Sequence, residues 1–291
     1  MYYRDFGSWM REIFPFKVQK ISINAGFTCP NRDGRISSGG CTFCDNRTFN
    51  PSYCHPQQSI TRQLEDGKLF FGRKYPEMRY LAYFQAYTNT YASLPRLQAL
   101  YEEALAVSDV VGIVIGTRPD CVSDTLLDYL QSLARHTFVM VEYGVESAND
   151  TTLKRINRGH TFACSQDAIR RTHERGIFTG AHVILGLPGE DAEESLRQAP
   201  LISDLPIDVL KLHQLQIVKG TRLAEDYIAH PFPLYDIDDY LDLIVKYIRI
   251  VRTDMVYDRF VSQCPPELLI APRWGVKNYQ FTEKLNKRLS R

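Results

Sequence analysis

The stretch VVGIVIGTRPDCVSDTLLDYLQSLARHTFVMVEYGV, residues 110–145, holds two apolar runs separated by one amphipathic segment. The runs VVGIVIG (110–116) and TFVMVEYGV (137–145) are short, β-branched and almost continuously apolar. That is the pattern of strands covered on both faces. Between them SDTLLDYLQSLARH (123–136) carries apolar residues at helical spacing, and Asp120 or Ser123 suits its N-cap. A strand, a helix and a second strand in so short a span make a parallel crossover unit.

The same alternation continues in both directions. Strand-like runs recur at VQKISIN (18–24), RYLAYFQ (79–85), FTGAHVILG (178–186) and DVLKLHQL (208–215). Helical patterns fall between them, such as LPRLQALYEEALAVS (94–108) and CSQDAIRRTHERG (164–176), the latter ending on Gly176 as a C-cap. Six βα units predict an α/β chain organised as a parallel barrel or open sheet. DIDDYLDLIVKYIRIVRT (236–253) reads as a long helix on that core, followed by a Pro-rich tail. We see no linker to a second domain. The expected division is a core with an N-terminal extension over 1–235, and a C-terminal helix and basic tail over 236–291 packed on it.

With 291 residues, 44% of them apolar, the chain can bury a full core. No run approaches the ~20 apolar residues of a membrane span, and the start MYYRDFGSWMREIFPF lacks a signal-peptide core. A cytoplasmic location is expected. The net charge of +1 does not advertise a polyanion partner, but the charge is uneven. From Arg249 to Arg291 there are nine Lys/Arg against four Asp/Glu, whereas Glu225 to Val245 is acidic with no Lys or Arg. A solvated helix face and a polyanion site both fit such a distribution.

In a parallel α/β core the loops after the strands gather at one end, where ligands collect. The first such loop is NAGFTCPNRDGRISSGGCTFCDN (24–46), with eleven residues between Cys29 and Cys41 and two between Cys41 and Cys44. Seven cysteines is an odd count for a disulfide framework in a reducing compartment. Three thiolates leave one coordination position for a ligand that is not protein, as an open metal site or an iron–sulfur cluster with one free iron would. A four-cysteine zinc site that includes Cys54 is the competing reading. Cys121, Cys164 and Cys264 are scattered and read as small core residues.

The CTFC pair, the long first gap, GIVIGTRPD, EYGVESANDTTLKRINRGHT, GLPGE and LHQLQIVKGTRL, in that order, resemble the radical SAM enzymes. They resemble in particular the radical SAM domain of the Elongator catalytic subunit and its shorter bacterial relatives, some of them linked to wobble-uridine modification of tRNA. The gap of eleven residues departs from the three of the commonest radical SAM pattern. The resemblance implies a partial (β/α)6 TIM-like barrel with a C-terminal helical extension. It implies a 4Fe–4S cluster held by Cys29, Cys41 and Cys44, and S-adenosylmethionine on the fourth iron. A flavodoxin or ferredoxin type of electron donor follows from the one-electron chemistry.

Other loop residues acquire candidate roles from this resemblance. Gln85, Thr88 and Asn89 in FQAYTNTY stand where many members have a motif for the methionine amino end; a turn capping the strand is the plain alternative. Arg118 and Asp120 are candidates for the carboxylate or ribose. Glu146 ranks above Glu142, which strand alternation sends to the same side, while Ser147 and Asn149 suit the start of the next helix. His182 and His213 read as core histidines unless they face one cavity together.

Lys154, Arg155, Arg158 and His160 form a basic cluster after the fourth strand. With Lys219, Arg222, Arg273 and Lys277, and with Trp274 for stacking, they mark a path for an RNA backbone; solvated surface is the alternative. The expected activity is therefore that of a radical SAM enzyme modifying the C5 substituent of the tRNA wobble uridine. A small-molecule or protein substrate, or a zinc-stabilised RNA-binding protein, are the alternatives.

Overall fold

The computed structural model describes residues 2–48, 50–72 and 77–290. The chain starts with β1 (Arg4–Asp5) and α1 (Phe6–Ile13). All six expected strands follow, as β2 (Val18–Ile23), β3 (Arg79–Phe84), β4 (Val110–Thr117), β5 (Phe138–Glu146), β6 (Phe178–Leu185) and β7 (Val209–Gln214). They pair in parallel in sequence order. The crossovers run through α2 (Ile60–Gly72), α3 (Leu94–Ala106), α4 (Asp124–Ala134), α5 (Asp150–Arg155) with α6 (Phe162–His173), and α7 (Ala192–Ser203). Ser123 rather than Asp120 caps α4, its side chain accepting from Leu126 N.

The C-terminal segment does more than pack on the core. After β8 (Ile217–Val218) and α8 (Arg222–Ala229) come α9 (Ile237–Ile250), β9 (Val256–Arg259), β10 (Leu269–Ala271) and α10 (Asn278–Leu289). Helices α9 and α10 lie outside the sheet, but β9 joins it beside β7, and β1 joins beside β9. The eight-stranded order is β1-β9-β7-β6-β5-β4-β3-β2. At four residues, two of them charged, β9 carries too little pattern to be read locally.

The sheet curls into a half-barrel. Lys20 on β2 and Asp258 on β9 stand far apart in strand order yet make an ion pair at 2.8 Å. Strand alternation then sorts the side chains into two sets. Outward residues such as Ile21, Ala82, Ile113, Val141, Ala181 and Leu212 are buried under the helices. Inward residues at the start of the strands, Leu81, Val114, Phe138, Met140 and Val209, form a second cluster that Trp9 and Met10 of α1 plug from below. Each such fully buried side chain contributes about 1.5–3 kcal/mol. Above the plug the inward positions turn polar, and above those lies an open cavity. Among the described residues no helix is long and apolar enough to cross a membrane.

Candidate active site

The cavity at the strand ends is lined by Cys29, Cys41 and Cys44 together with Gln85, Thr88, Arg118, Glu142, Glu146, Arg158, His182, His213 and Arg259. It encloses about 1250 Å³ of space free of atoms, part of it open to solvent. Gly116 and Gly144 form part of its wall. A Cβ on Gly144 would run into the Arg158 guanidinium and the Glu146 carboxylate, so glycine leaves room for both.

The cysteine loop is held from outside itself. Thr42 N donates to Ile156 O at 3.0 Å, Asn157 Nδ2 donates to Gly40 O at 2.8 Å, and Leu223 N donates to Thr42 O at 2.9 Å. Amide and guanidinium donors approach the sulfurs: Asn31 Nδ2 lies 3.6 Å and Arg158 Nη1 3.4 Å from Cys41 Sγ, and Asn46 Nδ2 lies 3.7 Å from Cys44 Sγ. Burial, with Cys41 beside it, pushes the Cys44 thiol up to about 12. All the cysteines are free thiols. Cys54 is buried apart from the cavity, its Sγ 3.3 Å from Gln63 Oε1. Cys121, Cys164 and Cys264 do not line the cavity either. Among the described residues, no three His, Cys, Asp or Glu side chains converge on a single-ion site.

Arg118 is 2% exposed and reaches Asp120 through two bonds of 2.9 and 2.8 Å, leaving Nη1 buried without a partner. Asp120 therefore orients Arg118 and does not itself line the main cavity. Thr88 Oγ1 is also buried without a partner, while Gln85 donates to Ser22 Oγ at 2.7 Å. Asn89 is turned away, its Nδ2 bonded to Gly116 O at 2.8 Å. It shapes the turn, the plain alternative for this residue.

Glu146 sits at a left-handed φ of 67°, beside a register break between Gly144 and Glu146. That backbone is unfavourable for a non-glycine residue and persists only where neighbours hold it. Ser147 supplies the hold, its Oγ donating to the buried Glu190 of GLPGE at 2.5 Å, while Asn149 caps α5. Burial pushes the Glu146 carboxyl above its ordinary range against the pull of Arg158 and Arg118.

Arg158, expected on an RNA path, is instead part of this site. It is 7% exposed, donates to Gly144 O at 2.6 Å and lies 3.5 Å from Glu146. The left-handed Asn157 (φ 54°) ends α5 and turns the chain back onto the cysteine loop, where Asn31 Nδ2 meets Asn157 O at 2.5 Å. Trp274 is also withdrawn from stacking on a base: its Nε1 donates to Tyr235 O at 3.1 Å, and its ring packs on Tyr240 and Phe281. Lys154, Arg155, Lys219, Arg222, Arg273 and Lys277 are exposed. Arg155 reaches Pro188 O at 2.8 Å, Lys219 O accepts from Arg47, and Arg273 folds onto Leu269 O and Ile270 O.

Beneath the cavity lies a charged floor that the sequence reading missed except for its histidines and Glu142. Glu142 receives Lys211 at 2.6 Å, Lys20 at 3.0 Å and His182 at 3.0 Å. Gly180 makes the room, since a Cβ there would stand 2.9 Å from Glu142 Cγ. Burial alone would raise the Glu142 carboxyl, but Lys20, Lys211 and His182 hold it well below its ordinary range. His182 and His213 do face one cavity, with rings 5.6 Å apart. Burial, then Lys211, pushes His182 down to about 4, and burial with Arg259 pushes His213 well below its ordinary range. The missed signal was a lysine in the middle of each of two apolar strands, Lys20 in VQKISIN and Lys211 in DVLKLHQL.

A parallel half-barrel with a three-cysteine loop after its first crossover strand and a polar cavity at the strand ends defines a radical SAM type of core. The profile described as the Radical SAM superfamily matches residues 28–197, and that of the Radical SAM C-terminal domain matches 207–291. The chain belongs to the radical SAM superfamily. It is 36% identical over 287 residues to YtqA of Bacillus subtilis, covering 99% of this chain and 89% of that protein. To YhcC of Escherichia coli K12 it is 37% identical over 286 residues, 98% of this chain and 91% of that one. Elongator complex protein 3 of Homo sapiens is 27% identical over 150 residues, 50% of this chain and 27% of its own length. In fold the chain matches the archaeal Methanocaldococcus infernus Elp3 with a TM-score of 0.68 at 18% identity, over 94% of this chain and 62% of that one.

Proposed function

We propose that this radical SAM enzyme holds a 4Fe–4S cluster on Cys29, Cys41 and Cys44, binds S-adenosylmethionine beside it, and modifies the C5 substituent of the wobble uridine in tRNA. The observation that carries the reading is a single cavity joining the three free thiols to partnerless buried donors and to a polar floor. The residues fit the groups. Arg118 Nη1, Arg158 Nε and Thr88 Oγ1 are buried polar atoms with no partner, and a carboxylate or ribose hydroxyl would satisfy them. The amides of Asn31 and Asn46 point at thiolate sulfurs, where hydrogen bonds tune a cluster's potential.

Bound between Cys29, Cys41, Cys44 and Arg118, the two groups would supply one-electron reductive cleavage of the sulfonium S–C5′ bond, the radical chemistry the family implies. The chain's own part is placement. Arg118, held flat by Asp120, presents its free edge to the cofactor carboxylate; Glu146, fixed by the Ser147–Glu190 contact, faces the amino or ribose groups. A flavodoxin or ferredoxin would supply the electron.

Support for tRNA comes from the partial likeness to Elongator complex protein 3 and from exposed cations on the surface. Arg47 and Lys219 meet beside the mouth through the Lys219 carbonyl. Phosphate contacts of Lys154, Arg155, Lys219, Arg273 and Lys277 would make binding fall with salt, while one unstacked base enters the cavity. The test pairs nucleoside profiling of tRNA from a deletion strain with anaerobic reconstitution. Loss of a wobble modification and tRNA-dependent product formation are expected. An unchanged nucleoside profile together with salt-independent or absent tRNA binding would overturn the tRNA assignment, and a preparation containing zinc without iron or sulfide would overturn the cluster.

A further inference from the structure

The floor of the cavity carries an unbalanced charge, and the imbalance falls on Arg259. Its permanent cations are Lys20, Lys211 and Arg259; its carboxylates are Glu142 and Asp258. Lys20 meets these carboxylates at 3.0 and 2.8 Å, and Lys211 meets them at 2.6 and 3.1 Å. Arg259 makes no ion pair among the described residues. Its Nη2 lies 3.3 Å from His213 Nε2, and its Nε is buried with no hydrogen-bond partner.

The neighbouring histidines add no negative charge. His213 takes a guanidinium N–H on Nε2, so its neutral ring carries its proton on Nδ1. His182 gives its Nε2 proton to Glu142. The corner therefore offers the Nε–H of Arg259, held beside the neutral His213 ring, on side chains that touch and that both line the cavity. Burial, reinforced by Arg259, keeps His213 neutral. A guanidinium whose buried Nε–H has no acceptor is unfavourable, and an oxyanion is the acceptor whose geometry and charge both suit it.

We propose that the Arg259–His213 corner is a substrate subsite for one singly charged oxyanion. A carboxylate on the reacting substituent or a phosphodiester of RNA would supply it. The surplus of one positive charge selects a monoanion over a phosphomonoester dianion. The corner lies on β7 and β9, towards the opposite edge of the sheet order from β2, which leads into the cysteine loop. Arg118 and Glu146, given to the cofactor, stand instead at the ends of β4 and β5. This assignment rests on the reading of the cavity as the substrate site.

The test is a titration of ¹⁵N-histidine-labelled, cluster-reconstituted protein with S-adenosylmethionine present. Acetate, dimethyl phosphate and neutral acetamide are the probes, and the His213 imidazole resonances are the readout. One of the anions should shift them saturably while acetamide does not. Acetate binding tighter assigns a substituent carboxylate, and dimethyl phosphate binding tighter assigns a backbone phosphodiester. Arg259→Gln should weaken the bound anion by about tenfold or more, and Arg259→Lys by less. Equal response to acetamide, no saturable shift with either anion, or unchanged affinity in Arg259→Gln would overturn the subsite. Should Arg259→Gln not fold, the comparison of anions with acetamide on the parent protein still decides. Formation of 5′-deoxyadenosine by the same preparation reports separately: its absence would remove the catalytic reading while the titration still reads the corner itself.

Discussion

Replacing Glu142 by Gln should destabilise the fold by about 3–5 kcal/mol. The side chain has no exposed surface, and its two oxygens meet Lys20 at 3.0 Å, Lys211 at 2.6 Å and His182 at 3.0 Å. Gln preserves the shape and removes the charge. Two lysines, 13% and 3% exposed, would then share Asp258 alone, and the surplus on the floor would rise by one positive charge. Removing one partner of a buried pair leaves the other charge desolvated and uncompensated, which is why the loss exceeds the net worth of the pair. Urea denaturation of the anaerobic, metal-free chain at pH 7 measures it; at about 1–3 kcal/mol per molar urea the midpoint should fall by about 1 M or more. Adding Lys211→Met to Glu142→Gln removes the stranded charge, so the double variant should be less destabilised than the sum of the singles. The pH dependence has a definite sign. The folded carboxyl is held below its ordinary 4.5, so its contribution is complete above that value and disappears as pH falls through the lower folded one. The gap between parent and variant should therefore close in acid. A Glu142→Gln protein within about 1 kcal/mol of the parent at pH 7 would refute the reasoning.

Ala at Cys29, Cys41 or Cys44 should abolish iron and sulfide incorporation, whereas Cys54→Ala, whose thiol touches Gln63 away from the cavity, should retain both by chemical analysis. Arg118→Ala and Glu146→Ala should keep the iron but weaken S-adenosylmethionine binding by about tenfold; unaltered cofactor-induced changes in the cluster EPR spectrum would remove them from that site. His182 is held down to about 4 from 6.5, so the unfolded chain takes the proton first and stability falls as pH drops through that window. Full burial would make this about 3 kcal/mol, less for a side chain 21% exposed; His182→Gln should flatten the loss between those pH values in urea titrations.

The six core strands were legible because each is a local apolar run between helical segments, while their sequential order around a barrel came with the family resemblance. The cysteine trio was legible for a similar reason: its three members lie within sixteen residues of one another. The strand ends being the functional end also follows from topology, which is why Arg118, Glu146, Gln85 and Thr88 were expected at the cavity and line it. The rest depended on distances that no local pattern encodes. Arg158 sits in a basic run that reads as a solvated rim, but a left-handed residue before it and contacts with Asn31 and Gly40, more than a hundred residues earlier, turn it toward Cys41. Trp274 is taken up by Tyr240 and Phe281, whose helices are brought together by packing and by ion pairs from Arg288 to Asp238 and Asp242. Lys20, Glu142, Lys211 and Asp258 occupy inward positions on four strands, and it is the curl of the sheet that brings residues 238 apart in sequence within an ion pair of each other. Alternation along a strand tells which side chains share a face; only closure of the half-barrel decides which charges across that face can meet, because Coulomb attraction and desolvation both depend on separation in space.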